Sequence, residues 1–333
     1  MVMHLEKRGS DMQSKKYNIL VSGASGIVGY GILRSLKNCD CKLIGTTIYE
    51  TSPANCFSDI VLQPPVTVDE SYIPWLIKTI KDYNIDMIIP AIEADMSCWN
   101  KNRKDLEATG TFVMLNNSEL IELCLDKWNF YKKLKDNNFK YTIATSLEPD
   151  FNTFPLPFLL KPRCGFGSKG IVKIEDKETF NKYKDEIGEN LMMQELVGNN
   201  NEEYTASGFF DKESNLKAFM VMKRKLSKQG FTEIAQTADE PELKEILKEL
   251  AKIFKPVGAT NFQFRKHNGS WKLLEINPRI SSSTSLKTAF GYNECKWTVD
   301  YFLDNKEISQ PEIRSGSAIR YTEDYIIYDS PDI

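Results

Sequence analysis

A glycine-rich turn between an apolar run and an amphipathic segment is the feature that most restricts how this chain can fold. The apolar run Tyr17 to Val21 leads into SGASGIVGY, residues 22–30, and a helical pattern covers about 26–38. Glycines let a strand turn sharply into a helix whose first backbone amides stay free for an anion or another polar group. The turn predicts the first βα unit of a parallel sheet, and it leaves open whether a dinucleotide such as NAD binds there.

Strand-like and helical segments alternate over residues 17–115, after a polar leader at 1–16. Beyond the first unit, strands are predicted at 42–48, 86–89 and 111–114, and helices near 70–83 and 95–107. Alternation of this kind is typical of a parallel α/β sheet. Residues 116–138 are then predicted to be helical, with Asn117 or Ser118 as the cap, and to connect to a second domain.

The pattern changes after residue 138 to short strands separated by turns. One amphipathic helix, predicted at 239–254, interrupts them. The predicted strands are 157–161, 170–174, 191–195, 203–210, 216–222 and 257–265, with a last strand-like stretch at 318–321. Many short strands with few helices indicate an α+β module.

Composition argues against several classes of function. The 43 basic and 46 acidic side chains give a net charge of -3, which disfavours a nucleic-acid partner. We find no signal-peptide pattern and no apolar run of membrane-spanning length, so we expect a cytoplasmic protein without a membrane partner. The two histidines are His4 and His267, and the seven cysteines are scattered. A Ser-His-Asp triad or a multi-histidine metal centre is therefore disfavoured.

A lysine-bearing strand runs into a loop with three glycines at residues 158–171, FLLKPRCGFGSKGI. The backbone amides of such a loop can close over phosphate oxygens while Lys161 supplies positive charge. It is not a Walker A loop, because the spacing differs and no helix follows. An exposed hairpin with an ordinary glycine turn is the alternative for this stretch.

Further along, an Asn-Gly turn joins two strands that carry polar side chains. Strand alternation predicts that Gln263 on the first strand, and Glu275 and Asn277 on the second, share one face. Three oxygen-bearing side chains without imidazole or thiolate suit Mg²⁺ held largely through a nucleotide's phosphates. The alternative is the polar outer face of a hairpin, although such a face does not require the Pro-Arg pair that follows Asn277.

The two stretches, in this order and with this separation, resemble the ATP-grasp superfamily. Within it, their sequences are similar to the synthetase halves of the carbamoyl-phosphate synthetase large chain. FQFR followed by LEINPRISSSTSL carries most of the likeness, and IAQT at 234–237 fits it. The resemblance implies a Rossmann-like pre-ATP-grasp α/β domain at 17–115 and an α+β ATP-grasp module of two subdomains. The small subdomain with the glycine-rich lid is expected at 116–195, and the subdomain with the metal site at 196–333.

The resemblance also assigns roles, with ATP gripped between the two subdomains. Residues expected to bind ATP through phosphates, adenine or ribose are Lys127, Lys161, Gly165, Gly167, Ser168, Gly170, Gln194, Glu195, Leu196, Val197 and Glu203. Glu202 would replace Glu203 at the ribose if the preceding loop is one residue shorter. The expected ligands for Mg²⁺, or alternatively Mn²⁺, are Gln263, Glu275 and Asn277. Arg279 and Lys161 are expected to act on the transferred phosphate.

The implied reaction joins a small carboxylate and an amine, amino acids among the candidates. ATP would phosphorylate the carboxylate, and the amine would attack the acyl phosphate to release ADP and phosphate. One alternative is an enzyme like carbamoyl-phosphate synthetase that phosphorylates a carboxylate or carbamate. Others are a regulatory ATP-binding protein without catalysis, and an NAD-dependent oxidoreductase in which Glu50 would bind the ribose. A homodimer is the default assembly.

Several polar positions stay open at this level. The glycine turn at 22–29 is expected to form part of the acceptor side of the cleft, where its amides would meet a substrate carboxylate. Substrate contacts of five side chains are left undecided, because helix-start acids and solvated charge runs are common. These residues are Glu93, Asp95, Lys223, Arg224 and Ser281.

Overall fold

Three β-sheets organise the chain in a computed structural model, which describes residues 16–165, 169–199, 202–227 and 232–326. The first sheet is entirely parallel and has the order β3-β2-β1-β4-β5. Its strands are β1 (Tyr17–Val21), β2 (Cys41–Thr46), β3 (Ile60–Leu62), β4 (Met87–Ile89) and β5 (Phe112–Val113). The predicted parallel α/β sheet is confirmed, and only the short β3 escaped prediction.

Helix α1 (Ile27–Leu36) follows the glycine turn directly, and α2 (Tyr72–Asp82) packs on the same sheet. The turn needs its glycines because backbone lies against backbone. A Cβ atom at Gly29 would lie 2.2 Å from the Gly23 carbonyl oxygen, and Gly23 has a φ of +59°. The hydroxyl of Ser25 closes the turn on Thr47, at 2.5 Å, and on Ser52, at 2.7 Å.

The helix predicted at 95–107 is two helices, α3 (Glu93–Lys101) and α4 (Arg103–Glu107). Asn102 separates them with non-helical dihedral angles, and its side-chain amide donates to the Cys98 carbonyl at 2.8 Å. Local side-chain bonds of this kind compete with the helical backbone pattern. A continuous helix was therefore a wrong prediction at this point.

The helix predicted at 116–138 is also divided, into α5 (Ser118–Leu125) and α6 (Lys127–Asp136). Asn117 caps α5, as one of the two predicted caps. Asp126 has extended backbone and caps α6 through the Trp128 amide at 2.8 Å. The same carboxylate pairs with Arg163 at 2.6 Å, which ties α6 to the strand before the glycine-rich loop.

A four-stranded antiparallel sheet follows, in the order β6-β9-β7-β8. Its elements are β6 (Thr145–Ser146), β7 (Phe158–Pro162), β8 (Val172–Ile174), α7 (Lys177–Tyr183) and β9 (Leu191–Glu195). The sheet has a small apolar core of its own, to which only residues between 151 and 193 contribute. The short β6 and helix α7 were not predicted.

The third sheet has six antiparallel strands in the order β14-β13-β10-β11-β12-β15. Its strands are β10 (Glu203–Phe210), β11 (Leu216–Leu226), β12 (Thr232–Ala238), β13 (Gly258–His267), β14 (Ser270–Asn277) and β15 (Ser317–Ile319). The helices around it are α8 (Pro241–Phe254), α9 (Thr284–Ala289) and α10 (Glu294–Phe302). Strand β12, with its polar sequence TEIAQTA, and helices α9 and α10 escaped prediction.

The two faces of the six-stranded sheet bury different partners. One face packs on α8 through Leu243, Leu247 and Leu250. The other face shares a core with the parallel sheet, because Phe209 and Met220 lie in the same buried cluster as Ile19 of β1 and Ile32 of α1. Among the described residues, no helix is both long and apolar enough to cross a lipid bilayer. Helix α1, which follows the glycine turn, packs against α9 and α10, and α10 in turn contacts β13 of the six-stranded sheet.

Candidate active site

Two cavities meet at the β13–β14 hairpin. The first, of about 170 Å³, is lined by the end of β9 and the two residues after it, 194–197, and is called the hinge-side cavity. The second, of about 370 Å³, is lined by Ile27 and Val28 after the glycine turn and is called the turn-side cavity. Glu275 and Gln263 line both cavities. These two side chains therefore stand at the junction of the cavities.

The hairpin brings the three predicted metal ligands together. Gln263 lies directly opposite Glu275 in the strand register, and Asn277 is two residues further along the same face. The Asn277 amide donates to the Glu275 carboxylate at 3.2 Å. The turn at Asn268 and Gly269, both with positive φ, pairs Phe264 with Leu273, and a β-bulge then shifts the register by one residue, so that Gln263 lies opposite Glu275 rather than Leu274.

This donor set fits a hard divalent cation. It offers one carboxylate and two amide groups, and oxygen is the atom that Mg²⁺ prefers. Among the described residues there is no cluster of three histidine, cysteine, aspartate or glutamate side chains that could hold a metal without further oxygens. A cation on Glu275 therefore requires additional oxygen ligands, such as those of phosphate groups.

Two half-buried lysines lie at the same junction, Lys161 in the lining of the hinge-side cavity and Lys127 in the lining of both cavities. Lys161 donates to the Gln194 side chain at 2.9 Å, and Lys127 donates to the Gly165 carbonyl at 2.7 Å. Burial lowers the pKa of both ammonium groups, and the nearby Glu275 carboxylate acts in the opposite direction. The two cations thus lack full compensation by the protein, which favours an anionic ligand between them.

The remaining residues predicted to bind ATP divide into three groups. Gly165, Gln194, Glu195, Leu196, Val197 and Glu203 line the hinge-side cavity with the two lysines. Gly170 lines neither cavity, and Gly167 and Ser168 lie outside the described residues. Glu202 lines neither cavity and accepts a hydrogen bond from Asn199 at 3.1 Å. The structure therefore brings most of the predicted set to one cavity.

Glu203 is already engaged by two arginines. It lies directly opposite Arg224 and Arg265 on the strands to either side. Arg224 donates to one carboxylate oxygen at 2.7 Å, and Arg265 donates to the other at 2.9 Å. The second oxygen also accepts from the Arg265 Nε at 3.3 Å, so a ribose hydroxyl would donate to the oxygen that faces Arg224. No sequence pattern signalled this cluster, because the three residues are far apart in the chain.

Arg279 enters the turn-side cavity from the loop after β14. Its guanidinium forms an ion pair with Glu93, at the start of α3, and donates to the Ile280 carbonyl at 3.0 Å. Glu93 lines the same cavity. Asp95 is buried instead, and accepts from Thr67 at 2.6 Å and Tyr72 at 2.8 Å. Of the two acids left open by the sequence, the cavity contains only Glu93.

A buried lysine, Lys287, hydrogen-bonds to the serine run that follows Arg279. Ser281 and Ser282 line the turn-side cavity, and helix α9 begins just after Ser283. Lys287 donates to Ser281 at 3.2 Å, to Ser207 at 2.8 Å and to Glu294 at 2.5 Å. A lysine buried to 1% exposure was not recognisable in the sequence, since helical lysines are usually solvated.

Glu50, the acid considered for NAD, is exposed and lines neither cavity. The glycine turn contributes to the turn-side cavity through Ile27 and Val28, the first residues of α1. The end of the turn thus adjoins this cavity, and its contact with a substrate carboxylate stays a prediction.

Comparisons with known proteins agree with this architecture. Residues 188–325 match the family described as ATP-grasp in the biosynthetic pathway with Ter operon, and residues 27–114 match the PylC-like N-terminal domain. Over 168 residues the chain is 28% identical to the formate-dependent phosphoribosylglycinamide formyltransferase of Prochlorococcus marinus. That match covers 47% of this chain and 40% of the length of the relative.

Solved structures of low sequence identity share the fold. The N5-carboxyaminoimidazole synthetase of Staphylococcus aureus has a TM-score of 0.73 at 15% identity, over 90% of this chain and 80% of that chain. The biotin carboxylase domain of Hydrogenobacter thermophilus 2-oxoglutarate carboxylase, a dimer with MgADP, ADP and bicarbonate, has a TM-score of 0.71 at 18% identity. That likeness covers 90% of this chain and 73% of the other chain.

None of these matches is a carbamoyl-phosphate synthetase. The resemblance to a synthetase half of that enzyme therefore stays a prediction. The resemblance to the ATP-grasp superfamily is supported by both family matches and by the order of the sheets along the chain. A segment that matches the PylC-like N-terminal domain thus precedes a segment that matches an ATP-grasp family, and the chain as a whole has the fold of the N5-carboxyaminoimidazole synthetase.

Proposed function

We propose that the protein is an ATP-dependent ligase that joins a carboxylate to an amine through an acyl phosphate. The observation that carries the proposal is the position of Glu275, which lines both cavities between Lys161 and Arg279. ATP would occupy the hinge-side cavity, and the carboxylate would occupy the turn-side cavity. The γ-phosphate and the carboxylate would then meet at the hairpin.

Each charged side chain at the junction has a task in this reaction. Lys127 and Lys161 neutralise the phosphate oxygens from the hinge side, and Arg279 does so from the turn side. Gln263, Glu275 and Asn277 would hold Mg²⁺, which supplies charge neutralisation on the triphosphate when bound. Catalysis would then consist mainly of positioning and charge stabilisation, for which no histidine base is required.

The carboxylate oxygen attacks the γ-phosphorus, the bond to the β-phosphate oxygen breaks, and ADP leaves. The amine then attacks the carbonyl carbon of the acyl phosphate, inorganic phosphate leaves, and the amine loses a proton. Glu93, beside Arg279, is the carboxylate in the lining of the turn-side cavity that is not assigned to the metal. It is suited to bind an ammonium group of the incoming amine.

The relatives support the choice of a small carboxyl compound. One is named formate-dependent, one is named a carboxyaminoimidazole synthetase, and one structure contains bicarbonate. Bicarbonate favours a second candidate function, in which the enzyme phosphorylates bicarbonate or a carbamate as carbamoyl-phosphate synthetase does. A homodimer, as in the H. thermophilus structure, is the proposed assembly.

Mg²⁺-dependent ADP release, measured across a panel of small carboxylates and amines offered singly and in pairs, tests the proposal. The panel includes amino acids, formate and bicarbonate. Release that requires one carboxylate together with one amine is the expected result. Release with bicarbonate alone would favour the second candidate. Tight ATP binding without release in any combination would contradict the ligase and favour a regulatory protein.

Lys161→Met is expected to stabilise the ligand-free protein and to abolish its stabilisation by MgATP. Within the described residues the lysine makes one side-chain hydrogen bond, to Gln194, and burial lowers its pKa. Removing this cation should raise the free energy of unfolding by about 1 kcal/mol at neutral pH. The gain should shrink as the pH rises from the lowered folded pKa towards 10.5, because the wild-type lysine then folds uncharged. Thermal unfolding with and without MgATP measures both effects.

Lys173→Met is the matched control, because Lys173 lies exposed on the neighbouring strand β8. It should leave both the stability and the MgATP shift close to those of the wild type. A Lys161→Met protein that is less stable, yet still stabilised by MgATP, would contradict the role given to Lys161.

A further inference from the structure

The cluster of Arg224, Glu203 and Arg265 connects the two cavities. Arg224 lines the turn-side cavity, whereas Glu203 and Arg265 line the hinge-side cavity. The side chains of Arg224 and Glu203 are 5% and 4% exposed. Arg224 is thus a buried cation whose ion-pair partner among the described residues, Glu203, is shared with Arg265. Burying such a charge is costly unless another anion approaches it.

Arg224 is the member of the cluster with unused donors. Among the described residues, its guanidinium hydrogen-bonds only to Glu203, at 2.7 Å. Its Nε atom is buried and has no partner in the part of the chain that the structure describes. Guanidinium groups bind carboxylate and phosphate oxygens strongly when water is excluded. An anionic group in the turn-side cavity would therefore complete the surroundings of Arg224.

The neighbours of Arg224 do not share this position. Lys223 points to the other face of the strand and lies over the Tyr204 ring, 5.7 Å from its centre. Lys225 is exposed. Neither side chain lines the turn-side cavity. Of the basic run that the sequence left undecided, the structure thus directs one side chain into the cavity.

We propose that the substrate in the turn-side cavity carries a second anionic group, a carboxylate or a phosphate, and that Arg224 binds it. The assignment of this anion to the substrate rests on the proposed function, in which the first carboxylate of the substrate faces Arg279. The lining of the cavity also contains apolar side chains, among them Ile27, Val28 and Met96. The substrate class is therefore a small molecule with acidic groups at two ends and an apolar middle.

Calorimetric titration of the full chain with matched pairs of anions tests the proposal without catalysis. Succinate is compared with butyrate, and 3-phosphoglycerate with glycerate, at equal ionic strength. We expect the doubly anionic member of one pair to bind roughly 10-fold or more tightly than its partner. The pair that shows the difference identifies the second group as carboxylate or phosphate.

Arg224→Gln should remove this difference, and Lys223→Gln, with the same loss of charge, should retain it. Arg224→Lys keeps a cation beside Glu203 and should bind the dianion several-fold more weakly than the wild type, which covers the case that Arg224→Gln does not fold. Equal binding within both pairs, or wild-type binding by the Arg224 variants, would overturn the proposal. Arg224-dependent binding without ADP release in the substrate panel would overturn the proposed function alone.

Discussion

Glu275→Gln is expected to reduce Mg²⁺-dependent ADP formation on the order of 10³-fold or more while the fold stays intact. The carboxylate is the only charged member of the predicted ligand set with Gln263 and Asn277. It also lies close enough to Lys127 and Lys161 for its charge to affect both. Gln has the same size, so the hairpin should keep its register. Steady-state ADP release and the melting temperature are the measurements.

Glu245→Gln is a suitable control, since this exposed side chain on α8 carries the same charge and pairs only with Lys248 among the described residues. Its turnover should match that of the wild type. Unchanged ADP formation by Glu275→Gln would remove the metal assignment. A fall that is restored by raising the Mg²⁺ concentration would support the assignment through weakened metal affinity.

Arg279→Ala is expected to cost about 3 kcal/mol or more in transition-state stabilisation, roughly 100-fold or more in rate. MgATP affinity should change little, because Arg279 lines the turn-side cavity and is absent from the lining of the hinge-side cavity. A nucleotide titration followed by kcat and KM for ATP separates these quantities. Equal losses in ATP affinity and in rate would place Arg279 in ground-state binding.

The ion pair with Glu93 complicates Arg279→Ala, because the variant also breaks a contact between α3 and the hairpin loop. Glu93→Gln breaks the same ion pair and leaves the guanidinium in place. Its rate should therefore fall less than that of Arg279→Ala. Equal rates for the two variants would show that the contact between domains, rather than the charge of Arg279, determines the effect. Arg314→Ala, at an exposed arginine, controls for loss of charge.

Local patterns in the sequence were sufficient for the elements that carry the site. Strands and an Asn-Gly turn were predicted for the β13–β14 hairpin and are present, although Gln263 comes to lie opposite Glu275 only through a β-bulge that the sequence does not display. The parallel sheet follows in the same way from alternating strands and helices. These features depend on neighbours a few residues apart, which a single sequence displays.

Features that depend on residues far apart in the chain could not be predicted from the sequence. The breaks at Asn102 and Asp126 require knowledge of side-chain bonds, and Asp126 is fixed partly by Arg163. The pairing of Glu203 with two arginines arises from the order of three strands, which local periodicity does not specify. The buried lysine at position 287 looks like an ordinary helical lysine. Long-range pairing, rather than local propensity, decides these cases.

The common core of the parallel and six-stranded sheets limits how this enzyme can diversify. Phe209 and Met220 pack in the same cluster as Ile19 and Ile32. Exchanging the N-terminal domain for that of a relative would require simultaneous repacking of the sheet that carries Glu275. The four-stranded sheet, with an independent core, is the part that recombination can replace as a unit. New acceptor specificities should therefore arise by substitutions in the turn-side cavity rather than by domain exchange.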